Sequence, residues 1–396
     1  MQWFYLKLFR TTDPGPADDL PIYTRSTVIE FAKKALSSFM PNRLPAWDPI
    51  TKSGNPTKST QINEVIRYVK RQEVRRLGAP NMATRALRKE EFEEVMVKLN
   101  TLDDIKKRFM VPAALKFQFS MIGRVDDTCH FKEEDLKPNP QFPQFTLLAR
   151  MRWSKNVMEE RDAPDQLLLG ANDPKYCVLF GFALYLEVWY EQGSGLNSPY
   201  IFGGNDNPKN TKSLVYHTLK RDVWDGRTSA EGKLGTHSFR KFPASFARRN
   251  GCSKDDVDSR GCWRKRRVSD RYVEVNIPYP DAKVAAVLAM GGPVRYGLNN
   301  GSGITETWLL ENVVPNICRS VHLQQQVALV LALPLLWAAF DDSMIDYMPG
   351  TLRNCICTAY NMLEDRLQDG QHPVRKSPLV VTGYDDQVHI DELVDG

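Results

Sequence analysis

Metal-binding patterns are missing from this chain of 396 residues. Its seven cysteines form no CxxC pair and no Cys/His spacing of the zinc type, and Cys355 and Cys357 are separated by a single residue. The absence of these spacings argues against a zinc module, and an odd number of unpatterned thiols is typical of reduced, intracellular proteins. We therefore expect no metal and no cofactor.

Long apolar runs are also missing. The longest apolar stretch, residues 327–340, is too short to span a bilayer and contains Pro334. The first residues, MQWFYLKLFRTTDPGP, lack the charged segment and long apolar run of a secretory signal. The sequence thus predicts a soluble protein with no membrane partner, in which residues 327–340 form a buried helix of a core or of an oligomer contact.

Charge of each sign is concentrated in one part of the chain, although the formal net charge is only +5. Residues 240–271 carry eleven Lys/Arg against four Asp, whereas residues 341–396 carry eleven Asp/Glu against four Lys/Arg. Such a local positive excess is compatible with a phosphate-binding surface. A solvated charged face is nevertheless the more common meaning of a charge run.

The first hundred residues have helical periodicity. Residues 26–41 have a Ser/Thr start and a proline stop, with apolar positions at Val28, Phe31, Ala35 and Phe39. Residues 61–78 and 89–99 give two further helical patterns. The second helix has one apolar face (Ile62, Val65, Ile66, Val69) and one basic face (Arg67, Arg71, Arg75). The basic face could contact DNA phosphates, or the segment could be an ordinary amphipathic surface helix.

The middle of the chain predicts a β-hairpin among helices. QFTLLARMRWSKN (144–156) and DQLLLGA (165–171) have the composition of two strands joined by a charged turn, and the apolar helix KYCVLFGFALYLEVWY follows them. We predict a mainly α fold with a small β-hairpin or sheet. The expected domains are residues 1–100, residues 101–296, and a helical, acidic extension over residues 297–396.

Four residue types follow one another in a fixed order in the basic centre. His237 and Arg240 stand three apart in GTHSFRK, Trp263 follows twenty-three residues after Arg240, and Tyr272 comes nine residues later. This order resembles the C-terminal active-site half of the tyrosine recombinases, the phage integrase-like family of DNA strand-exchange enzymes. The resemblance implies an earlier arginine in a helix turn and a lysine in a β-hairpin.

Both upstream residues are present. MIGRVDDTCHFKEEDL supplies Arg124 and then Asp127, at the position where the family usually has Glu, and the turn RWSKNVMEERD supplies Lys155. A narrower resemblance is to the recombinases of crypton-type eukaryotic DNA transposons. It rests on three sequence segments: GTHSFRK, ARRNGCSKDDVDSRG and RVSDRYVEVNIPYPDAKVAA. The broad resemblance covers roughly residues 25–280, and the last hundred residues have no counterpart in the general recombinase pattern.

The resemblance implies a phosphate site. Arg124 and Arg240 would neutralise the charge that develops on the non-bridging oxygens of the scissile phosphate. His237 and Trp263 would add hydrogen bonds from ring N–H groups. The Asp127 carboxylate would hold Arg124 in the orientation needed to contact the phosphate.

The resemblance also implies a covalent step. Tyr272 would attack phosphorus to form a 3′-phosphotyrosyl link, and Lys155 would protonate the 5′-hydroxyl leaving group, with no metal or ATP. Double-stranded DNA would lie in a clamp between a helical core-binding domain and the catalytic domain, with protomers paired on two sites. A basic run could contact phosphates, direct nuclear import, or both, and a nuclear location is expected. This run comprises Arg264, Lys265, Arg266 and Arg267.

Besides Asp127, two features depart from the family pattern. Cys262 stands between Gly261 and Trp263, where many members place histidine directly after the glycine. Pro243, three residues after Arg240, is expected in the first turn of a helix or at a kink.

Other interpretations stay open at this level. Arg124 could form a buried ion pair with Asp126 or Asp127, and Trp263 and Tyr272 could be core aromatics. Lys132 and Arg152 are also near the candidate turns, and Lys155 could be an ordinary solvated lysine of a hairpin. The functional alternatives are a domesticated or silent DNA-binding protein derived from a recombinase, a type IB topoisomerase, and a scaffold that binds acidic protein surfaces. The complete set of catalytic residues favours the recombinase.

Overall fold

The chain is mainly helical, with two small antiparallel sheets, and it divides into two compact units, Met1–Ala83 and Thr84–Gly396. The predicted mainly α fold with a small sheet is therefore confirmed. The computed structural model describes residues 1–12, 21–81, 83–142, 145–203, 207–224, 232–263, 281–299, 302–367 and 378–383.

Within its described residues, the first unit contains three α-helices, α1 (Gln2–Phe9), α2 (Ser26–Ser38) and α3 (Thr60–Val74). The two faces predicted for α3 are confirmed, because Ile62, Ile66 and Val69 are buried while the opposite face is exposed. That exposed face carries Arg67, Arg71 and Arg75. Ser59 begins the helix, since its hydroxyl accepts the Ile62 N–H at 3.4 Å.

The face that helix α2 buries is not the apolar face predicted from the sequence. Phe31 is 74% exposed and Phe39 is 85% exposed, whereas Ile29 is buried. The helix is held at its start by polar contacts, because Glu73 of α3 accepts the Ser26 N–H at 2.6 Å and forms an ion pair with Arg25. These contacts fix the side of α2 that packs against α3, and the phenylalanines remain outside.

The second unit holds eleven helices within its described residues. They are α4 (Lys89–Asn100), α5 (Val111–Ser120), α6 (Val125–Cys129), α7 (Val178–Glu191), α8 (Pro208–Thr218), α9 (Thr236–Arg249), α10 (Lys254–Arg260), α11 (Ala282–Leu288), α12 (Glu306–Asn312), α13 (Gln325–Phe340) and α14 (Gly350–Leu367). A π-helical turn, Lys106–Met110, leads into α5, and another, Leu219–Val223, follows α8. Pro243 lies inside α9 and not in its first turn.

The strands form two sheets of three. The first contains β1 (Leu136–Pro138), β2 (Leu147–Arg150) and β3 (Asp165–Leu168), and the second contains β4 (Gly170–Ala171), β5 (Pro293–Leu298) and β6 (Leu379–Gly383). In the first sheet, Leu147 lies opposite Leu168 and Arg150 lies opposite Asp165. This pairing confirms the predicted hairpin, and β1 adds a strand that was not predicted.

The boundary between the units differs from the predicted domain boundary near residue 100. Phe92 of α4 stacks on Tyr176 with ring centroids 4.7 Å apart, and it also contacts Phe119 and Phe239. Helix α4 therefore belongs to the core of the second unit because its apolar face is buried there.

The residues after 297 are also part of the second unit. Helix α13 is buried along almost its whole length and shares one hydrophobic core with α7. The apolar stretch at 327–340 is thus a buried core helix, as predicted. Within the described ranges, no helix is both long and apolar enough to cross a membrane.

Candidate active site

Two arginines from different helices share one carboxylate. Arg124 precedes α6, and the Asp127 Oδ2 accepts its backbone N–H at 3.2 Å. The same oxygen lies 3.5 Å from the Arg124 Nη1 and 3.5 Å from the Arg240 Nη1. Asp127 thus fixes the separation of the two guanidinium groups. Asp126, the other sequence candidate, forms an ion pair with Lys212 instead.

Arg240 of α9 is held on three sides. Its Nη2 donates to the Gly261 carbonyl oxygen at 2.5 Å, and its guanidinium carbon lies 4.4 Å from the centroid of the Trp263 ring. Among the described residues, its Nε and Nη1 have no hydrogen-bond partner, although both atoms are buried. Nε is thus left without an acceptor in this part of the chain, whereas Nη1 has its ion pair with Asp127. A planar guanidinium held in this way suits an anion with several oxygens, such as phosphate.

Burial controls the protonation of this cluster. Desolvation, with Arg124 as the next contribution, lowers the pKa of Arg240 to about 10, so the guanidinium stays charged at neutral pH. Desolvation also raises the pKa of Asp127, while the Arg124 N–H and the two guanidinium groups act in the opposite direction. Burial raises the pKa of Cys262 to about 11. Its thiol is therefore neutral at physiological pH and a poor nucleophile.

The two arginines, Arg124 and Arg240, line an open cleft of about 400 Å³. His237 is exposed in the first turn of α9, one turn before Arg240, because Gln118 of α5 donates to the Thr236 carbonyl at 3.1 Å and holds the start of the helix. The lining residues are Ala86, Arg124, His237, Arg240, Lys241, Ala244, Ser245 and Trp263. The cleft thus carries three cationic side chains and an imidazole, which is a suitable environment for an anion.

The turn between β2 and β3 brings Lys155 to the same place. Ser154 accepts a hydrogen bond from the Arg124 Nη1 at 3.4 Å, and the Asn156 side chain donates to the Cys262 carbonyl at 2.8 Å. Lys155 lies between these two anchored residues and is exposed. The sequence did not single out Ser154 or Asn156. Their positions beside the candidate lysine are the only signal it contains.

Arg260 anchors the chain segment that leads to Trp263. Sequence analysis did not identify this residue either. It is fully buried at the end of α10, donates to the Ser120 carbonyl at 3.0 Å and to the Leu167 carbonyl at 2.8 Å, and forms an ion pair with Asp281. These contacts tie the segment before Trp263 to α5, β3 and α11. Within the basic run 240–271, Arg260 is therefore a structural residue and not a surface charge.

Several predicted site residues lie outside the described residues, so the structure does not place them. They are the nucleophile candidate Tyr272 and the basic run Arg264, Lys265, Arg266 and Arg267. The structure does bring together Arg124, Asp127, His237, Arg240 and Trp263, with Lys155 in the adjacent turn. In the described ranges, no three His, Cys, Asp or Glu side chains are grouped as a metal site requires.

No protein-family model matches the chain, and no curated protein matches its sequence. The arrangement of side chains in the cleft is therefore the basis for a functional proposal.

Proposed function

We propose that this protein is a tyrosine recombinase, which cleaves and rejoins DNA through a 3′-phosphotyrosyl intermediate. The observation that carries the proposal is the shared carboxylate: Asp127 lies 3.5 Å from a nitrogen of Arg124 and 3.5 Å from a nitrogen of Arg240. Two fixed guanidinium groups at the wall of one cleft suit a phosphate with two non-bridging oxygens.

The chemistry requires fixed positive charge. In-line attack passes through a five-coordinate phosphorus, and the extra negative charge on its oxygens is stabilised by donors that are already in position. Arg240 supplies such a donor, since its Nε has no hydrogen-bond partner within the described residues, and Arg124, His237 and Trp263 line the same cleft. Because these groups are held by Asp127, Gly261 and Ser154, they need little rearrangement when the phosphate binds.

The bond changes are balanced as follows. The phenolic oxygen of Tyr272 gives its proton to solvent water and bonds to phosphorus, and the bond between phosphorus and the 5′ oxygen breaks. The Lys155 ammonium gives a proton to that leaving oxygen. A 5′-hydroxyl from a partner duplex reverses these steps, since the tyrosyl ester conserves the phosphodiester energy. The recombinase therefore requires no nucleotide cofactor.

The proposed partner is double-stranded DNA, which a helical core-binding domain and a catalytic domain would hold as a clamp. The protein would act in the nucleus as a homo-oligomer on paired DNA sites. The exposed basic face of α3 and the run at 264–267 are the proposed phosphate contacts. Mobilisation of a crypton-like element is the proposed biological role.

Covalent trapping tests the proposal. Purified wild-type protein, Tyr272→Phe and the control Tyr216→Phe, which alters an exposed tyrosine of α8, are incubated with nicked suicide DNA carrying the termini of the element, in EDTA. We expect a covalent protein–DNA band on a denaturing gel with wild type and Tyr216→Phe, and no band with Tyr272→Phe. If salt-sensitive DNA binding occurs without any band, the protein is a silent or domesticated binder. If a band persists in Tyr272→Phe, another nucleophile acts.

A further inference from the structure

A second cationic cavity lies between α4, α5 and α7 in the second unit. It has a volume of about 30 Å³, and its lining includes three cations, Arg108, Lys116 and Lys175, together with Tyr347 and Asn100. None of the described residues that line it is an Asp or a Glu. A site for one water needs on the order of 10–15 Å³, so the cavity has room for more than one water-sized group.

Lys116 is the least expected residue of this cavity. It lies on α5, is only 5% exposed, and has no hydrogen bond or ion pair with any described residue. Its ammonium nitrogen lies 5.2 Å from the centroid of the Phe180 ring. Gly181 of α7 leaves the space that the side chain occupies, because a Cβ at that position would come within 3.0 Å of the Lys116 Cδ. A buried charge without a partner is costly, and the fold makes room for this one.

A second cation beside Lys116 also has unused hydrogen-bonding capacity. The Nε of Arg108 is buried and has no hydrogen-bond partner in the part of the chain that the structure describes. Lys175 has one partner, Asp173, at 3.4 Å. The three side chains come from the π-helical turn before α5, from α5 itself, and from the loop before α7. Their convergence thus depends on the tertiary fold.

We propose that this cavity binds a small inorganic oxyanion of the phosphate type, held by Lys116, Arg108 and Lys175. A planar guanidinium and two ammonium groups suit the several oxygens of such an ion, and the ion supplies the charge that Lys116 lacks. The site is separate from the cleft of Arg124 and Arg240, and it does not depend on the proposed recombinase activity. Helix α5 connects the two places, since Gly123 and Arg124 follow its end closely.

Phosphate titration tests the site in a background in which the other candidate phosphate site has lost one of its two arginines. Full-length Arg124→Gln protein is titrated with inorganic phosphate by calorimetry, with gluconate as the only other anion in the buffer. We expect one saturable phosphate per chain. Adding Lys116→Met should weaken this binding by about tenfold or more, because a direct charged hydrogen bond is lost. The control Lys209→Met, an exposed lysine of α8, should leave the binding unchanged.

Several outcomes overturn the proposal. It fails if folded Arg124→Gln protein binds no phosphate saturably, if Lys116→Met binds phosphate as well as its parent, or if chloride competes as strongly as sulfate. Arg108→Gln provides a second test if Lys116→Met does not fold. Saturable heat is the required signal, since phosphate stabilises most proteins by exclusion from their surfaces. None of these results bears on the proposed recombinase activity, which is tested separately by covalent trapping.

Discussion

At the scale of single residues, the shared carboxylate decides how the two arginines are placed. In the proposed enzyme Asp127 is a positioning residue, because it acts through Arg124 and Arg240. Asp127→Asn leaves two guanidinium groups without a counterion, and we expect the free energy of unfolding to fall by about 2–4 kcal/mol. We expect DNA cleavage by the bound complex to slow by at least about tenfold, with DNA affinity little changed.

The variant Asp127→Glu shows whether slower cleavage in Asp127→Asn comes from misplaced arginines or only from a less stable protein. A longer carboxylate can still reach both arginines, so cleavage should recover to within a few-fold of wild type, measured as single-turnover formation of the covalent band. If Asn and Glu variants cleave equally well at matched stability, the carboxylate does not position the arginines for this reaction.

Arg260 gives a prediction on stability. Arg260→Met removes hydrogen bonds to the Ser120 and Leu167 carbonyls and leaves Asp281 buried without a counterion. We expect a loss of about 3–5 kcal/mol in the free energy of unfolding, measured with urea. Lys254→Met removes a cation of the same helix from an exposed ion pair and should cost less than about 1 kcal/mol. Equal losses would show that Arg260 is not the anchor of this segment.

The buried Lys116 predicts an unusual pH dependence of stability. Desolvation lowers its pKa in the folded protein to about 8, and Cys177 and Asp173 oppose this shift only in part. Between about pH 8 and the unfolded lysine value near 10.4, the unfolded chain binds more protons, so stability rises with pH. Relative to Lys116→Met, wild type should gain on the order of 3 kcal/mol from pH 7 to pH 10 in phosphate-free buffer.

The difference between the two proteins isolates Lys116 from its charged neighbours. Arg108, Lys175, Asp173, Cys177 and Tyr347 are present in both, and their own titrations therefore largely cancel. Urea unfolding at several pH values measures the difference. A difference that does not change with pH would mean that Lys116 keeps an ordinary pKa.

At the scale of elements, the turn between β2 and β3 determines whether Lys155 can act. If Lys155 is the general acid, Lys155→Ala should slow cleavage by about 10²–10⁴-fold. The same variant should cleave nearly normally when the 5′ leaving oxygen of the DNA is replaced by sulfur, because a thiolate leaves without a proton. Lys132→Ala, which removes a cation paired with Glu134, is the matched control and should cleave both substrates as wild type does.

If Lys155→Ala is slow on both substrates, the lysine acts in some other way than as a proton donor. Ser154→Ala with Asn156→Ala offers a further comparison, since it releases the turn from Arg124 and Cys262 but keeps the ammonium. This double variant should cleave DNA more slowly than wild type but faster than Lys155→Ala.

The elements also show what the sequence could predict. Helix α3 and the hairpin have periodicities set by local residues, so both were predicted from the sequence. The family resemblance implied that the candidate site residues would lie together. Arg124, His237, Arg240 and Trp263 do line one cleft, and Lys155 lies in a neighbouring turn. The role of Arg260 could not be predicted, because its acceptors at Ser120, Leu167 and Asp281 are distant in sequence. The outward face of α2 depends likewise on Glu73, a residue of another helix.

At the scale of the whole molecule, charge governs the proposed binding to DNA. Each phosphate contact contributes a slope of about −0.9 to the dependence of log Kobs on log salt concentration. If Arg67, Arg71 and Arg75 contact phosphates, the triple glutamine variant should make this slope shallower by about 2–3. Their side chains are exposed on α3, opposite its buried face, so the substitutions should leave the core of the first unit intact.

A matched triple variant separates direct contacts from net charge. Lys209, Lys220 and Lys283 are exposed in the second unit, and their change to glutamine removes the same three positive charges from the chain. Fluorescence anisotropy with one labelled duplex, repeated over a series of salt concentrations, gives the slope for each protein. If both triples change the slope equally, the basic face of α3 contributes only to the overall field. A larger change for the α3 triple would identify that face as a direct DNA contact, because counterions are released only where cations lie next to phosphates.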